Sequence, residues 1–410
     1  MSVYTGIDWS ENKHDVVIIN KAAVPLARFT IPHSPDGFDK FDRTCRRLGF
    51  SPQDCLIALE TAHNLLIDFL WARGYSQLFV VPPRVTKSRR PSYSLANAHT
   101  DQSDAFLLAD LLRSDLHRLS PWRPDSPLTQ EIRAKVSLIH HLTRTSVRFS
   151  NRLRAVLLRY YPAALLVFSK LHAPVTLAFI SAFPTPQAVS TLSFDNFASF
   201  ARQNRYSHPK KLPAAFARLQ APQPPPASHI VHIFSQEAVL LSSLLLNSLQ
   251  AKQSTLKDLK SLFSQHPDFL VFDSLPGAGD LLAPALLAKL GDDRDRFPSP
   301  SSLQALAGTC PVTEESGKRR FVKFRHACDH EFRHFAIQWA RHSLTESVWA
   351  NAYYHRVLPH SRSKSHAQRC LANRWIAILW KLWQSRQPYD EAYHLQQCKL
   401  RSKSKVVFVD

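Results

Sequence analysis

The stretch "HTDQSDAFLLADLL", residues 99–112, sets Asp101 and Asp104 three apart at the head of an apolar helical pattern. Side chains at i and i+3 share a helix face, with β-carbons about 5–6 Å apart. One acid in a first turn is explained by the positive end of the helix dipole. Two acids aimed at one spot call for a cation. Asp8 in "TGIDWS" and Glu60 in "CLIALE" end strand-like runs, where open α/β sheets collect their functional groups. Each acid alone reads as a cap or a surface charge, but four so placed can converge. Hard oxygen ligands suit magnesium, with manganese as a substitute. Paired ions about 3.5–4 Å apart clamp the attacking and leaving oxygens of a phosphodiester displacement.

The elements that must carry these acids are legible in the first 127 residues. "SVYTGIDWS" and "KHDVVIINK" form a hairpin pattern, and "DCLIALE" and "QLFVVPP" read as buried strands. Helical patterns lie between them, which predicts a mixed sheet with helices on its faces, an α/β domain. Residues 128–265 hold two long helical patterns, about 128–161 and 232–264, that suit an antiparallel hairpin or coiled coil. Between these lies a weak, proline-rich insertion, 162–230, containing "LQAPQPPPASH". Residues 266–390 read as a mainly helical domain, and 391–410 as a basic flexible tail.

The charge points to the partner. Lys and Arg total 52 against 32 acids, a formal +20, which suits a polyanion such as nucleic acid better than a plain solvated surface. Arg144, Arg148, Arg152 and Arg159 line one face of the first long helix, as a phosphate contact or a solvated face. The six cysteines show no zinc-type spacing and read as reduced thiols. No secretory leader is apparent, and "AVLLSSLLLNSL" is too short and serine-broken for a membrane span. The expected setting is the cytoplasm.

Together "GIDWS", "ALETAH" and "HTDQSDAFLLADLL" resemble the acidic motifs of the DEDD insertion-sequence transposases. "LPGAGDLLAPALLAKLGDDRDRFPSPSSLQALAGTCPVTEESGKRR" is similar to the second domain of that family. The resemblance covers roughly residues 1–160 and 265–390. It implies a RuvC-like, RNase H-type first domain and site-specific DNA strand exchange in a bacterial mobile element, guided by a structured noncoding bridge RNA. It also implies that Asp8, Glu60, Asp101 and Asp104 bind magnesium and that Ser316 of "EESGKRR" is the nucleophile. Two stretches depart from the family pattern: His99-Thr100 replaces a Lys-Thr pair, and "FRHACDHEFRH" replaces a Ser-Lys-x-Gly-Asn run.

Serine before glycine usually marks only a turn. Here Lys318, Arg319, Arg320, Lys323 and Arg325 surround it, a set suited to holding a scissile phosphate. A serine hydroxyl also needs a base or metal to become a nucleophile. That makes a composite site between subunits of a homodimer or homotetramer an expectation. His326, His330 and His334 lack a fourth zinc ligand, and Trp339, Trp349, Trp375, Trp380 and Trp383 read as core. The Pro-Gly-x-Gly turn at 276–279 opens a helix, and serves either as a phosphate seat or as a helix corner.

An RNA-guided DNA recombinase is therefore the favoured reading. The alternatives are a RuvC-type structure-selective endonuclease, which needs only the first domain, and a non-catalytic nucleic-acid-binding protein. An actin-like phosphotransferase would need glycine-rich loops that nine glycines do not supply.

Overall fold

The computed structural model describes residues 2–62, 65–92, 100–317 and 319–406. His99 and Lys318 lie outside the described residues. The chain divides into two compact units, Met1–Asp125 and Ser126–Asp410.

In the first unit, β1 (Val3–Trp9), β2 (Lys13–Ile19), β3 (Pro25–Pro32), β4 (Cys55–Leu59) and β5 (Leu78–Val80) make one sheet in the order β3-β2-β1-β4-β5. The first three strands are antiparallel, and β4 and β5 run parallel to β1. This order and these directions are consistent with an RNase H-like sheet. β3 was not expected from sequence. It is an edge strand with most of its side chains at least partly exposed, and prolines at both ends suit such an edge.

Helices α1 (Pro35–Arg47) and α2 (Leu65–Ala72) cover one face of the sheet, where Ile7, Val16, Phe41, Leu66 and Leu70 form the core. Beyond β5 comes α3 (Pro83–Arg89), then α4 (Asp101–Asp115) on the opposite face. Leu108, Leu111 and Leu112 of α4 pack on Leu56, Ala58 and Phe79. Gly6 lets α4 come close: a β-carbon there would lie 1.9 Å from the Ala105 carbonyl oxygen and 2.6 Å from the Ala109 nitrogen.

The second unit is helical apart from a two-stranded hairpin. α5 (Pro127–Tyr160) is followed by five short helices: α6 (Ala164–Val167), α7 (Pro174–Ala182), α8 (Pro186–Ser190), α9 (Phe194–Gln203) and α10 (Leu212–Gln220). The expected loose insertion is thus a folded helical cluster. Phe168, Phe179 and Phe197 centre its core, which also takes Leu153 and Val156 from α5 and Leu241 and Leu245 from α11 (Ser228–Ser264). The weak periodicity had a local cause, since helices of 4–10 residues are too short to display a repeating stripe.

Helices α5 and α11 lie antiparallel. Lys135 pairs with Asp258 at 2.9 Å, Ser146 with Ser248 at 2.9 Å, and Arg152 with Glu237 at 2.6 Å. By length and composition α11, at 37 residues, could cross a membrane, because the helix extends well beyond the short serine-broken run "AVLLSSLLLNSL". Ala238, Leu245, Leu259 and Phe263 are buried in packing, while Ile233, Leu240 and Leu244 are exposed.

The rest of the chain is α12 (Phe269–Asp273), α13 (Gly279–Leu290), α14 (Pro300–Leu306), the hairpin β6 (Val312–Ser316) and β7 (Arg319–Lys323), α15 (His330–Glu346), α16 (Val348–Val357), α17 (Lys364–Ser385) and α18 (Glu391–Val406). Trp339, Trp375 and Trp383 are fully buried in a core that includes Ile132, Val136 and Ile139 of α5. The boundary expected near 265 therefore cuts through one core. The expected flexible tail is largely α18; Glu391 anchors its start by accepting from the Ser347 hydroxyl, the Trp349 backbone N–H and the Tyr389 hydroxyl.

Candidate active site

The four predicted acids sit on one side of the first unit's sheet system. Asp8 lies on β1, opposite Asp15 of β2 in register, and Glu60 directly follows β4. Thr100 caps α4 by accepting from the Ser103 N–H, while the Ser103 hydroxyl accepts from the Thr100 N–H. This reciprocal cap fixes the turn that presents Asp101 and Asp104. Burial first, then the carboxylates of Asp104, Glu60 and Asp101, push the Asp8 carboxyl up to about 7. Like charges that crowd one carboxyl in this way ask for a cation.

Protein cations supply part of it. Arg90 donates from Nε to Asp104 Oδ1 at 3.0 Å and from Nη2 to Oδ2 at 2.7 Å. Lys13 Nζ stands 3.3 Å from Asp101 Oδ2, and Thr86, itself buried, donates to Glu60 Oε1 at 2.7 Å. Among the described residues no three Asp, Glu, His or Cys side chains are gathered closely enough to hold a metal ion. The donor set of hard oxygens fits a divalent ion in kind and in charge. The ion would have to replace Arg90 on Asp104 and Lys13 on Asp101.

Arg90, Lys13, Thr86 and Asp15 join the four acids only in the folded structure. Asp15, in "KHDVVII", had a visible signal: a carboxylate facing Asp8 across the hairpin. It is buried and accepts from the Thr30 hydroxyl at 2.6 Å. Thr86 and Arg90 carry no sequence signal, because a helix of seven residues and its following turn bring them to the acids.

In the second unit Ser316 ends β6 on an exposed hairpin, paired in register with Arg319; Gly317 makes the turn at φ +57°. No described residue makes a hydrogen bond with its hydroxyl. Of the expected basic neighbours, Arg320 pairs with Glu315 at 3.2 Å and Lys323 with Glu314 at 2.5 Å. Arg325 reaches the Pro311 carbonyl at 3.4 Å. On α5, Arg144 and Arg148 are exposed without a described acid partner, whereas Arg152 is engaged by Glu237.

The Gly-x-Gly turn is a helix corner. Glu346 accepts from the Gly277 N–H at 2.6 Å. A β-carbon on Gly277 would sit 2.5 Å from the α15 backbone at His342 and Ser343. A carboxylate in that place repels phosphate, which overturns the phosphate-seat reading.

A mixed five-stranded sheet, consistent with an RNase H-like domain and carrying four acids on a strongly basic chain, points to a nucleic-acid strand-processing protein. A transposase family profile of the DEDD IS110 type matches residues 5–162, and that of the transposase IS116/IS110/IS902 family matches residues 270–355. The mini-circle protein assigned as transposase for IS117 in Streptomyces coelicolor is 30% identical over 95% of this chain and 96% of its own. An uncharacterized 42 kDa protein of insertion element IS900 in Mycobacterium paratuberculosis is 26% identical over 80% and 82%. An uncharacterized 43.6 kDa protein of IS110, also from Streptomyces coelicolor, is 24% identical over 93% and 94%. The chain belongs to the IS110 family of insertion-sequence transposases, DNA-cleaving and recombining enzymes of mobile elements.

Proposed function

We propose that this transposase exchanges DNA strands through Ser316 and the four acids, with a structured noncoding bridge RNA choosing the DNA sites. The observation that carries the acid centre is the setting of Asp8 on β1, where burial first, and then the carboxylates of Asp104, Glu60, Asp101 and Asp15, push its ionisation up to about 7. Asp8, Glu60, Asp101 and Asp104 would hold magnesium, or manganese in its place. Such an ion, when bound, supplies Lewis-acid stabilisation of phosphate oxygens. Asp15 and Thr86 orient the cluster, since each is buried and hydrogen-bonded to a neighbour in it or beside it.

The Ser316 hydroxyl would attack the scissile phosphorus, giving a phosphoseryl ester and a free 3′ or 5′ hydroxyl. Its proton leaves to a base, for which an acid of the first unit is the candidate. The ester conserves the phosphodiester bond for rejoining, where hydrolysis would lose it. Arg319, opposite Ser316 in the hairpin, and Lys318 and Arg320 next to it in sequence would neutralise the pentacovalent phosphate, whereas Lys323 stands at the other end of the hairpin, followed by Arg325. The reading requires Ser316 to meet the acids, in one chain or across a homodimer or homotetramer. RNA guidance rests on the family resemblance, and exposed Arg144 and Arg148 offer phosphate contacts for that RNA. The enzyme would act in the cytoplasm, on the nucleoid.

The test is an SDS-stable protein–DNA band formed with cognate RNA, DNA and magnesium and lost on protease treatment. Ser316→Ala should abolish the band while DNA and RNA binding persist, and Asp8→Asn or Glu60→Gln should abolish cleavage. A band that survives Ser316→Ala overturns the serine assignment. Adduct-free cleavage needing only the acids would favour a hydrolytic endonuclease.

A further inference from the structure

Against the far end of the β6–β7 hairpin, the second unit encloses a cavity of about 600 Å³. Lys323 and Arg325 line it from the hairpin, and Arg362, Arg369 and Arg374 from α17 and the residues before it. No Asp or Glu lines it. Lys323 alone among these five has a described carboxylate partner, Glu314.

The arginines are held in place without being neutralised. Arg369 lies over the Phe324 ring at 4.7 Å, and Arg333 over the same ring at 4.5 Å. Two guanidiniums on one ring repel each other. Arg325 Nε and Arg333 Nε are both buried without a hydrogen-bond partner. Burial first, and then Arg333, hold the Arg369 guanidinium below its ordinary range. A buried N–H without an acceptor costs about 1–3 kcal/mol, and unpaired buried charge costs more. Lys323, Arg362 and Arg374 reach solvent, but a wholly solvated basic face would not leave the Arg325 and Arg333 Nε–H groups buried without an acceptor.

The wall opposite offers a neutral donor. Asn373 Oδ1 accepts from the Thr309 hydroxyl at 2.9 Å, which fixes the carboxamide. Its NH₂ group is left without a described partner. Planar guanidinium forks and an amide donor are the groups that recognise phosphate oxygens.

We propose that this cavity is a phosphodiester-binding pocket in which Arg325, Arg362, Arg369, Arg374 and Asn373 hold one backbone phosphate of a nucleic-acid strand. That the occupant is a nucleic acid rests on the transposase reading; that the site takes an anion rests on its residues. The pocket opens beside Val322 and Lys323, while Ser316 lies at the other end of the hairpin. Four residues of strand separate Lys323's register position from that of Ser316, about 13 Å. A strand anchored in the pocket therefore reaches Ser316 after about four nucleotides at the helical rise. The pocket sets which phosphate meets the hairpin turn.

The experiment uses the full chain and two fluorescent probes, a 16-nucleotide oligothymidylate and a 16-nucleotide oligouridylate, titrated across a salt series. Arg369→Gln/Arg374→Gln should weaken binding at least tenfold and flatten the salt slope by about 0.7 per lost contact. Ser316→Ala should bind as the unaltered protein does. Cys310 and Cys370 line the same cavity, so the bound oligonucleotide should protect them from N-ethylmaleimide in the unaltered protein and not in the double variant. Arg369→Lys/Arg374→Lys, which keeps charge and loses the forks, should recover only part of the affinity, and circular dichroism melting checks its fold. Loss confined to oligothymidylate assigns the pocket to DNA, and loss confined to oligouridylate assigns it to RNA. Unchanged affinity and slope with both probes, or no cysteine protection, overturns the pocket. A Ser316→Ala variant that still forms the adduct would overturn the serine reading and leave the pocket standing.

Discussion

Arg90 holds Asp104 by a forked ion pair, two hydrogen bonds of 3.0 and 2.7 Å to the two carboxylate oxygens. The guanidinium thereby covers both oxygens of an acid that the transposase reading gives to a metal. Arg90→Gln should bind divalent ions more tightly, because the ion no longer competes with a cation of the protein. A partly exposed pair contributes about 1 kcal/mol, so isothermal titration with Mn²⁺ should show about a fivefold lower Kd. Weaker binding in the variant would mean that Arg90 supports the acids instead of opposing the ion.

Gly6→Ala should loosen α4 from the sheet, since its β-carbon would meet the Ala105 carbonyl oxygen at 1.9 Å. Overpacking of this kind costs about 1–3 kcal/mol, and more where backbone must move. Urea unfolding reads the loss. The same shift would carry Asp101 and Asp104 away from Asp8, so cleavage should fall further than stability explains. A variant with unaltered midpoint and activity would show that α4 has room to spare.

His14 is buried against Phe38 and Trp9, with Nε2 at 2.9 Å from His33 Nδ1 and Nδ1 lacking a partner. Burial, and secondarily His33, lowers its pKa from 6.5 to about 4. The fold holds the neutral ring, so the unfolded chain protonates first. This stability is present above pH 6.5 and is lost as the pH falls from 6.5 to about 4. Unfolding midpoints at pH 7.5, 6 and 5 should drop more steeply for the unaltered protein than for His14→Phe. Parallel profiles would remove His14 from the explanation.

Arg144→Gln/Arg148→Gln should weaken nucleic-acid binding and lower the salt slope by about 0.7–0.9 per lost contact. Arg152→Gln should act on the helix pair instead, because Glu237 holds that side chain at 2.6 Å. Its expected signature is a small loss of stability with an unchanged slope. Equal slopes for all variants and the unaltered protein would return this face to solvent.

The sequence made the acids legible because each stands at a boundary, Asp8 and Glu60 where strands end and Asp101 and Asp104 where a helix begins. Periodicity marks such boundaries well. The partners were hidden, because Arg90 and Thr86 reach the acids through a tertiary path with no local pattern. The helices between 164 and 220 were hidden for a different reason. None is longer than 10 residues, so no single helix displays a full stripe, and the core forms only when Phe168, Phe179 and Phe197 pack on one another. β3 was lost to its prolines, which punctuate a sequence whether or not a strand lies between them.

Ile132 and Trp383 belong to one core, although roughly 250 residues of synthesis separate them, tens of seconds at about 5–20 residues per second. The first turns of α5 thus emerge from the ribosome long before α17 can cover them, while the α6–α10 cluster has most of its own packing partners at hand. An incomplete chain that stops before α17 would hold a finished first unit and a sticky, half-covered second one. Any truncated product of this gene is then a substrate for chaperones and proteases before it can compete for DNA. Because the proposed phosphate cavity takes Arg369 and Arg374 from α17, it would be complete only after that helix is made, long after Arg144 and Arg148 of α5.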